Sequence, residues 1–299
     1  MKINGIAIDD TFAEAFGMAG TGVIITADSM KWARQAAVTM SGFGTSVIGA
    51  GAEVGIDREL KPEDTPDGRP GVRVLLFGFS PDSAAQQLKT RVGQCVLTSP
   101  GSACYAGVES DKHIGLGQGP RFFGDGFQTA KKLGDKRFWR VPVMDGEFVI
   151  EEKTGVVTDA VGGGNLIILG NDRAGLLATA EAAVEAIGNV PDVITPFPGG
   201  IVRSGSKVGS KYKGAIASTN DAFCPTLRGR VKSEVGPDTI AVLEIVIDGL
   251  SSKAVADAMR AGLKTLIDQG AAKGVTRVTA GNYGGKLGQH HYKLRELLP

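Results

Sequence analysis

The sequence predicts an α+β fold made of two ferredoxin-like (split βαβ) lobes that are related by internal duplication. Three observations predict it. Hydrophobic segments of strand and helix length follow the order β-α-β-β-α-β in each half, helix-capping residues recur at matching places, and a hairpin signal lies between the halves. We expect the first lobe to span residues 1–150 and the second to span residues 151–299.

Capping residues and glycines bound the helices of the first lobe. Asp28 or Ser29 can cap the first helix and Gly42 can end it, while Ser80 is a natural N-cap for the second helix and Pro81 suits its first position. The predicted order is a strand at 21–26, a helix to about residue 40, strands near 45–48 and at 72–79, a helix to about residue 92 and a strand at 95–98.

The same order recurs in the second lobe. Asn171 or Asp172 can cap its first helix and Ser251 its second. Between the lobes, Asp145 and Gly146 separate two alternating apolar runs, which is a strong signal for a β-hairpin. The predicted elements are strands at 165–169, near 193–195, at 241–248 and at 275–279, with helices at about 172–187 and 253–268.

Composition excludes several classes of protein. The 299 residues carry a formal net charge of +1, so bulk electrostatics favour neither a nucleic-acid nor a membrane-surface partner. No apolar run approaches the ~20 residues that cross a bilayer, and the first residues lack a signal-peptide core, so we expect a cytoplasmic protein. Three scattered cysteines and three histidines predict neither a disulfide framework nor a zinc site.

The sequence also lacks the common nucleotide and nucleophile motifs. The run 162–165 (GGGN) is rich in glycine but precedes a strand rather than a helix, so neither a Rossmann loop nor a P-loop is predicted. No Gly-x-Ser-x-Gly nucleophile elbow occurs. We therefore expect chemistry that uses no nucleotide cofactor and no serine nucleophile.

Three polar loops of the second half, at 195–207, 217–225 and 281–288, are candidate binding segments. Glycine allows close backbone approach to a flat ligand, Asn and Thr can bind its polar edge, and aromatic rings can stack on it. Ordinary turn chemistry is the alternative for any one loop. The candidate substrate-binding residues are Phe197, Pro198, Gly199, Gly200, Ser206, Lys207, Ser218, Thr219, Asn220, Asp221, Gly281, Asn282, Gly284 and Gly285.

Glu244 is a carboxylate in the middle of an apolar run, AVLEIVID at 241–248. Strand alternation places it on one face with Val242 and Val246, and both faces of this strand are largely apolar. One interpretation is structural: the side chain faces water at a sheet edge or pairs with an arginine. The other is functional, because burial raises the pKa of a carboxyl group and fits it to act as a general acid near neutral pH.

Long segments across nearly the whole chain resemble the family of formylmethanofuran:tetrahydromethanopterin formyltransferases, in order and at family spacing. They are far more specific than any single motif above. The segments are 10–16 (DTFAEAF), 41–46 (SGFGTS), 65–71 (TPDGRPG), 93–95 (GQC), 122–126 (FFGDG), 197–201 (FPGGI), 206–211 (SKVGSK), 218–221 (STND) and 284–289 (GGKLGQ).

The resemblance implies an activity and an assembly. It implies formyl transfer between methanofuran or methylofuran and tetrahydromethanopterin, both of them substrates, with no metal and no prosthetic group bound. It implies a homotetramer built as a dimer of dimers, with the active-site cleft near subunit interfaces. The family's proposed acid/base residue is a strand glutamate of the second lobe, and Glu244 occupies that motif position here.

The near-neutral charge indicates a host with ordinary internal salt, such as a methylotrophic bacterium, rather than a salt-rich methanogen. There the resemblance implies a subunit of a formyltransferase/hydrolase complex. Two alternatives stay open at this point. The chain could be a non-catalytic carrier-binding or scaffold subunit of such a complex, or it could transfer the formyl group to a different folate-like acceptor.

Overall fold

A computed structural model describes the whole chain, Met1–Pro299. It is a mixed α+β fold with one large, mostly antiparallel sheet. None of its helices combines the length and the apolar character that crossing a membrane requires. The elements of the first half are β1 Lys2–Ile3, β2 Ile6–Ile8, β3 Phe12–Thr26, α1 Met30–Ser41, β4 Thr45–Ser46, α2 Val47–Ala50, β5 Ala52–Leu60, β6 Gly71–Gly78, α3 Pro81–Arg91, β7 Ala103–Ala106, β8 His113–Gly115, β9 Thr129–Leu133 and β10 Lys136–Val143.

The second half repeats two long helices between strands, and one strand pair of it stands apart from the large sheet. β14 and β15 form that separate pair. The elements are β11 Gly146–Glu151, β12 Lys153–Gly170, α4 Arg173–Gly188, β13 Val193–Ile194, β14 Lys207–Val208, β15 Ala217–Ser218, β16 Ala241–Gly249, α5 Ser252–Gln269, β17 Val275–Thr279 and β18 His290–Lys293.

The two halves share one order of strands. In the first half β3 pairs with β6 and β7, and β6 pairs with β5, which gives β5-β6-β3-β7. In the second half β12 pairs with β16 and β17, and β16 pairs with β13, which gives β13-β16-β12-β17. The long strands β3 and β12 then pair antiparallel with each other and join the halves into one sheet.

Each half has its own hydrophobic core, which lies between its helices and one face of its strands. The first core contains α1, α3, β3 and β6, and the second contains α4, α5, β12 and β16. In α4 an apolar stripe is buried against the sheet, formed by Leu176, Ala180, Ala183 and Ile187. The helices therefore cover one face of the second half-sheet, and its other face is left for the loops.

Side-chain caps start three of the four long helices where the sequence predicts them, while Ser29 occupies the N-cap position of α1 without a side-chain hydrogen bond. The Ser80 hydroxyl accepts a hydrogen bond from the Ser83 amide in a reciprocal capping box. The Asp172 carboxylate accepts one from the Ala174 amide, and the Ser251 hydroxyl accepts one from the Ala254 amide. The Asp145–Gly146 hairpin prediction is also confirmed, since β10 and β11 pair antiparallel across it.

One predicted strand of the first half is wrong, and another is confirmed only in part. The 95–98 segment does not extend as a strand: α3 runs on into a π-helical turn, Val92–Val96, and the strand is β7 instead. Near 45–48 only Thr45–Ser46 is extended, since Ser46 caps the short helix α2. The reason in the first case is burial. Val92 and Val96 are both buried when the backbone stays helical, and this packing overrides their strand preference.

Candidate functional site

The main concavity of the protein is a cavity of about 940 Å³ on the face of the second half-sheet opposite its helices. Ligand pockets typically measure roughly 300–1,000 Å³, so this volume is near the upper end and can hold a large ligand or two ligands together. The first half contributes part of the wall through Ser46, Val47, Ile48, Glu53 and Phe79.

Glu244 lies on the wall of this cavity, in the middle of β16. The strand alternates as predicted: Ile245 and Ile247 are buried in the helical core, while Glu244 and Val246 face the cavity. The Glu244 backbone is paired on both sides, to Ile167 of β12 and to Val202 through hydrogen bonds of 2.7 and 2.9 Å. Glu244 is therefore not at an open sheet edge.

The Glu244 carboxyl group has no arginine partner and accepts no hydrogen bond. Burial is the only influence on its pKa, and burial raises the pKa to about 7 from the usual value near 4.5. At neutral pH the protonated and ionised forms are thus present in similar amounts. The structural interpretation of Glu244, a solvated or arginine-paired carboxylate, does not describe this side chain.

The cavity brings together six of the fourteen predicted binding residues. The six that line it are Phe197, Ser206, Lys207, Asn220, Gly281 and Asn282. The other eight lie in the same loops but not on the cavity wall, and they are Pro198, Gly199, Gly200, Ser218, Thr219, Asp221, Gly284 and Gly285.

Several of these eight shape the loops. Asp221 forms an ion pair with Lys207 at 2.7 Å, which lowers the pKa of Asp221 and fixes the Lys207 ammonium at the cavity wall. Gly200 has φ +77° and packs so closely on Val184 and Thr195 that a Cβ would lie 2.6 Å and 2.7 Å from their side chains. Both the positive φ and the lack of space for a Cβ therefore require glycine at this turn.

Residues from the N-terminal segment and β3 also line the cavity. The sequence analysis names none of them as site residues, although Glu14 and Phe16 lie in the family-like segment 10–16. Asp9 holds Arg277 in a bidentate ion pair with Nε–Oδ distances of 2.8 and 2.9 Å, and this pairing raises the pKa of Arg277. Glu14 and Phe16 line the wall as well. The signal that could have found Glu14 is the same one that marks Glu244: a single carboxylate inside an otherwise apolar strand, FAEAF at 12–16.

Two adjacent carboxyl groups, those of Asp248 and Glu53, lie where the two halves of the chain meet. Asp248 is fully buried and accepts a hydrogen bond from the Gly163 amide, while Glu53, at the cavity wall, accepts one from the Val47 amide. Burial and the adjacent Glu53 raise the pKa of Asp248, and burial raises that of Glu53. The raised pKa values favour the protonated forms, and a carboxyl group that stays protonated can adjoin another without a cation.

No group of three or more His, Cys, Asp or Glu side chains is arranged to hold a metal ion. The cavity wall contains a carboxyl group that titrates near neutrality, further acidic residues, one lysine, one arginine, several amides and four phenylalanines from different segments. The aromatic and amide groups suit recognition of organic ligands with flat rings, and Glu244 suits proton transfer to one of their atoms.

Comparison with known proteins decides the family. Residues 1–143 match the sequence model of formylmethanofuran-tetrahydromethanopterin formyltransferase, and residues 146–297 match the model of the proximal lobe of the same family. The chain belongs to the formylmethanofuran-tetrahydromethanopterin formyltransferase family. The resemblance predicted from the sequence is confirmed.

Relatives in this formyltransferase family match over nearly their full length. The chain is 60% identical over 301 residues to a subunit of the formyltransferase/hydrolase complex of Methylorubrum extorquens, covering 99% of this chain and 97% of that protein. It is 58% identical over 298 residues to formylmethanofuran–tetrahydromethanopterin formyltransferase of Methylococcus capsulatus, with both chains fully covered.

Solved structures of the family have the same fold. The formyltransferase/hydrolase complex from Methylorubrum extorquens, determined with methylofuran, matches with a TM-score of 0.98 at 59% identity and covers 100% of this chain and 99% of that one. The formyltransferase from Methanosarcina barkeri matches with a TM-score of 0.93 at 44% identity, covering 99% and 100%.

Proposed function

We propose that this chain transfers a formyl group between the amine of formylmethanofuran, or of formylated methylofuran, and tetrahydromethanopterin, with Glu244 as the proton-handling residue. The observation that carries the proposal is the Glu244 carboxyl group, which has no partner, faces a 940 Å³ cavity and has a pKa of about 7. The substrates are those in the names of relatives that are 58–60% identical over nearly the whole chain.

The reaction requires a group that can give and take a proton. A ring amine of the acceptor attacks the formyl carbon of the donor amide, and a tetrahedral intermediate with an oxyanion forms. Protonated Glu244 donates a hydrogen bond to that oxygen or a proton to the departing amine, which is a poor leaving group as an anion. The Glu244 carboxylate left by that proton transfer accepts the proton that the attacking nitrogen loses. A carboxyl group with a pKa near neutrality can do this in both directions, because it loses and regains the proton readily.

The size of the cavity supports the simultaneous binding of both carriers. Holding the donor formyl group and the acceptor amine in contact replaces an encounter in solution by a step within one complex, a gain of several kcal/mol. Asn220 and Asn282 at the wall offer amides for the polar edge of a heterocycle, and Lys207 offers a cation for an anionic side chain of a carrier.

Replacement of Glu244 tests the proposal. Glu244→Gln keeps the shape of the side chain but cannot release a proton, so we expect formyl transfer by the purified chain to fall ~10²-fold or more. Glu147→Gln, a strand glutamate outside the cavity that pairs with Arg140, is the control and should keep full activity. An unchanged kcat in Glu244→Gln rejects Glu244 as the proton-handling residue.

The assembly is a second part of the proposal. One relative is named as part of a formyltransferase/hydrolase complex, which supports hydrolase-complex subunits as partners for this chain. We also propose the homotetramer, a dimer of dimers, that the family resemblance implies. Transfer by the isolated chain, measured with its mass by light scattering, separates a catalytic subunit from a scaffold: a scaffold would bind both carriers without turnover.

The remaining parts of the proposal concern architecture and setting. The matched strand orders β5-β6-β3-β7 and β13-β16-β12-β17 support two duplicated ferredoxin-like lobes with a boundary near residue 150. We propose that the carriers act as substrates and that no cofactor stays bound. The cytoplasmic location stays a prediction from the sequence.

A further inference from the structure

The loop from Gly281 to Gly288 forms part of the cavity wall, yet it contains neither helix nor strand and four of its eight residues are glycine. Such a segment loses much conformational freedom when it is ordered, so something must hold it. Asn165, Thr11 and Phe12 hold the start of the loop through hydrogen bonds with Gly281 and Asn282. One side chain from the first half of the sequence holds residues 283–288. Glu14, on β3, accepts hydrogen bonds from four backbone amides of this loop.

The four bonds are short and divide evenly between the two oxygens. Glu14 Oε2 accepts from Tyr283 N at 2.6 Å and from Gly285 N at 2.8 Å. Glu14 Oε1 accepts from Leu287 N and Gly288 N, each at 2.7 Å. The side chain is 1% exposed, so water does not compete for these donors.

No cation neutralises this carboxylate, and the donors are uncharged amides. Burial raises the pKa of Glu14, but the four hydrogen bonds outweigh it and lower the pKa to about 2, so the group stays ionised at any working pH. Only a carboxylate offers enough lone pairs for four donors. A glutamine at this position would turn an NH₂ group towards two of the amides and leave them unpaired.

The anchored loop presents an aromatic ring to the cavity. Tyr283 and Phe16 both line the wall, and their ring centroids are 6.0 Å apart at an angle of 51°. Phe16 lies two residues from Glu14 on the same face of β3. Burial raises the pKa of the Tyr283 hydroxyl most, and the charges of Glu244 and Glu14 raise it further. The ring pair therefore lies within electrostatic reach of Glu244.

We infer that Glu14 is a positioning residue: it fixes the 281–288 loop so that Tyr283 and Phe16 form an aromatic wall that holds the flat ring of one carrier beside Glu244. The ligand chemistry is a planar heteroaromatic ring, and the pterin and the furan are its two sources. This inference rests on the proposed function, since it takes its ligands from there. The inference adds Glu14, Tyr283 and Phe16 as the residues that set the affinity for one of the two carriers.

The test compares Glu14→Gln, Tyr283→Ala and Tyr283→Phe in an assay of formyl transfer. The concentration of each carrier is varied in turn, which gives a KM for each. We expect Glu14→Gln and Tyr283→Ala each to raise the KM of one carrier roughly 10-fold, the scale of a lost hydrogen bond or ring contact, and to leave the KM of the other within twofold. The carrier that responds identifies the ring. Tyr283→Phe keeps the ring and loses only the hydroxyl, so it should raise this KM less than Tyr283→Ala does.

A double variant separates positioning from general stability. If Glu14 acts through the loop, Glu14→Gln adds little to the KM of Tyr283→Ala, whereas independent effects multiply. Glu151→Gln is the matched control, because Glu151 is buried and accepts a hydrogen bond from the Ala106 amide at 3.0 Å but does not line the cavity. It should change neither KM.

Measuring the binding of each carrier without turnover distinguishes failure of this inference from failure of the proposed function. Loss of affinity in Tyr283→Ala supports the aromatic wall even where the wild-type chain shows no transfer, an outcome that rejects the proposed function alone. If Glu14→Gln does not fold, the two Tyr283 variants and amide hydrogen exchange of the wild-type loop replace it. Unchanged affinity in Tyr283→Ala, multiplying effects in the double variant, or rapid exchange at Tyr283 and Gly285 overturns the inference.

Discussion

Arg73 of β6 and Glu244 of β16 occupy the same position in the two halves of the molecule. Each pairs with the central strand of its half, Arg73 with Ile24 of β3 and Glu244 with Ile167 of β12. Each strand then ends in glycine, and a serine-capped helix follows. The matched strand orders thus place a charged residue at this point twice, with opposite sign and with different surroundings.

The surroundings show which charge is structural. The Arg73 guanidinium donates to Asp57 at 3.0 Å, to Asp192 at 2.5 Å and to the Gly107 carbonyl at 2.7 Å, so its charge and its donors are satisfied. Asp192 belongs to the second half, and the ion pair ties the halves together. Glu244 has no such partner. A buried charge that the fold uses is paired, and one left alone in a cavity is available for chemistry.

Removal of the Arg73 side-chain charge should produce the largest loss of stability. Arg73→Met leaves Arg58 as the only ion-pair partner of the buried Asp57. We therefore expect the free energy of unfolding, measured in urea, to fall by about 3 kcal/mol, the low end for breaking a buried ion pair. The kcat of the folded variant should stay within twofold. Arg140→Met, at an exposed pair, should cost less than about 1 kcal/mol. Equal losses in the two variants would contradict the comparison.

Glu244→Gln should have the opposite effect on stability at alkaline pH. A raised pKa in the folded state means that stability is complete below about pH 4.5, declines as pH rises to about 7 and is constant above that. At about 1.4 kcal/mol per pH unit, the buried carboxylate costs about 3 kcal/mol above pH 7. We expect the variant to exceed the wild type by that amount at pH 9 and to equal it at pH 4, in urea unfolding.

The pH profile of transfer sharpens the same contrast. If the protonated form of Glu244 is the active one, kcat/KM of the wild type should fall tenfold per pH unit above about pH 7, or about 100-fold by pH 9. The low residual rate of Glu244→Gln should not follow this fall, and Arg73→Met should keep it. A flat wild-type profile between pH 7 and 9 would show that the Glu244 proton does not control the rate.

Local features of the fold could be predicted because they depend on neighbours in the sequence. Ser80, Asp172 and Ser251 cap helices through amides two or three residues away. The predicted strand at 95–98 failed because Val92 and Val96 are buried against other elements when the backbone stays helical, and no local pattern reports such burial. The strand near 45–48 was predicted too long, because Ser46 caps a short helix there.

The candidate site, like the fold, could be predicted from the sequence only in part. The mid-strand carboxylate Glu244 and the three loops were visible as patterns, and six loop residues do line the cavity. Glu14 was not recognised, although it is also a lone carboxylate in an apolar strand. Its hydrogen-bond donors lie about 270 residues further along the chain.

By itself the sequence determined the order of the elements, the helix ends, the family and the strand position of Glu244, because periodicity, capping and long matched segments are properties of nearby residues. Tertiary structure alone decided that Arg73 is paired and Glu244 is not, and that Glu14 holds the 281–288 loop beside the cavity. The physical reason is that the state of a charge depends on burial and on its partners, and folding brings those partners from remote parts of the chain.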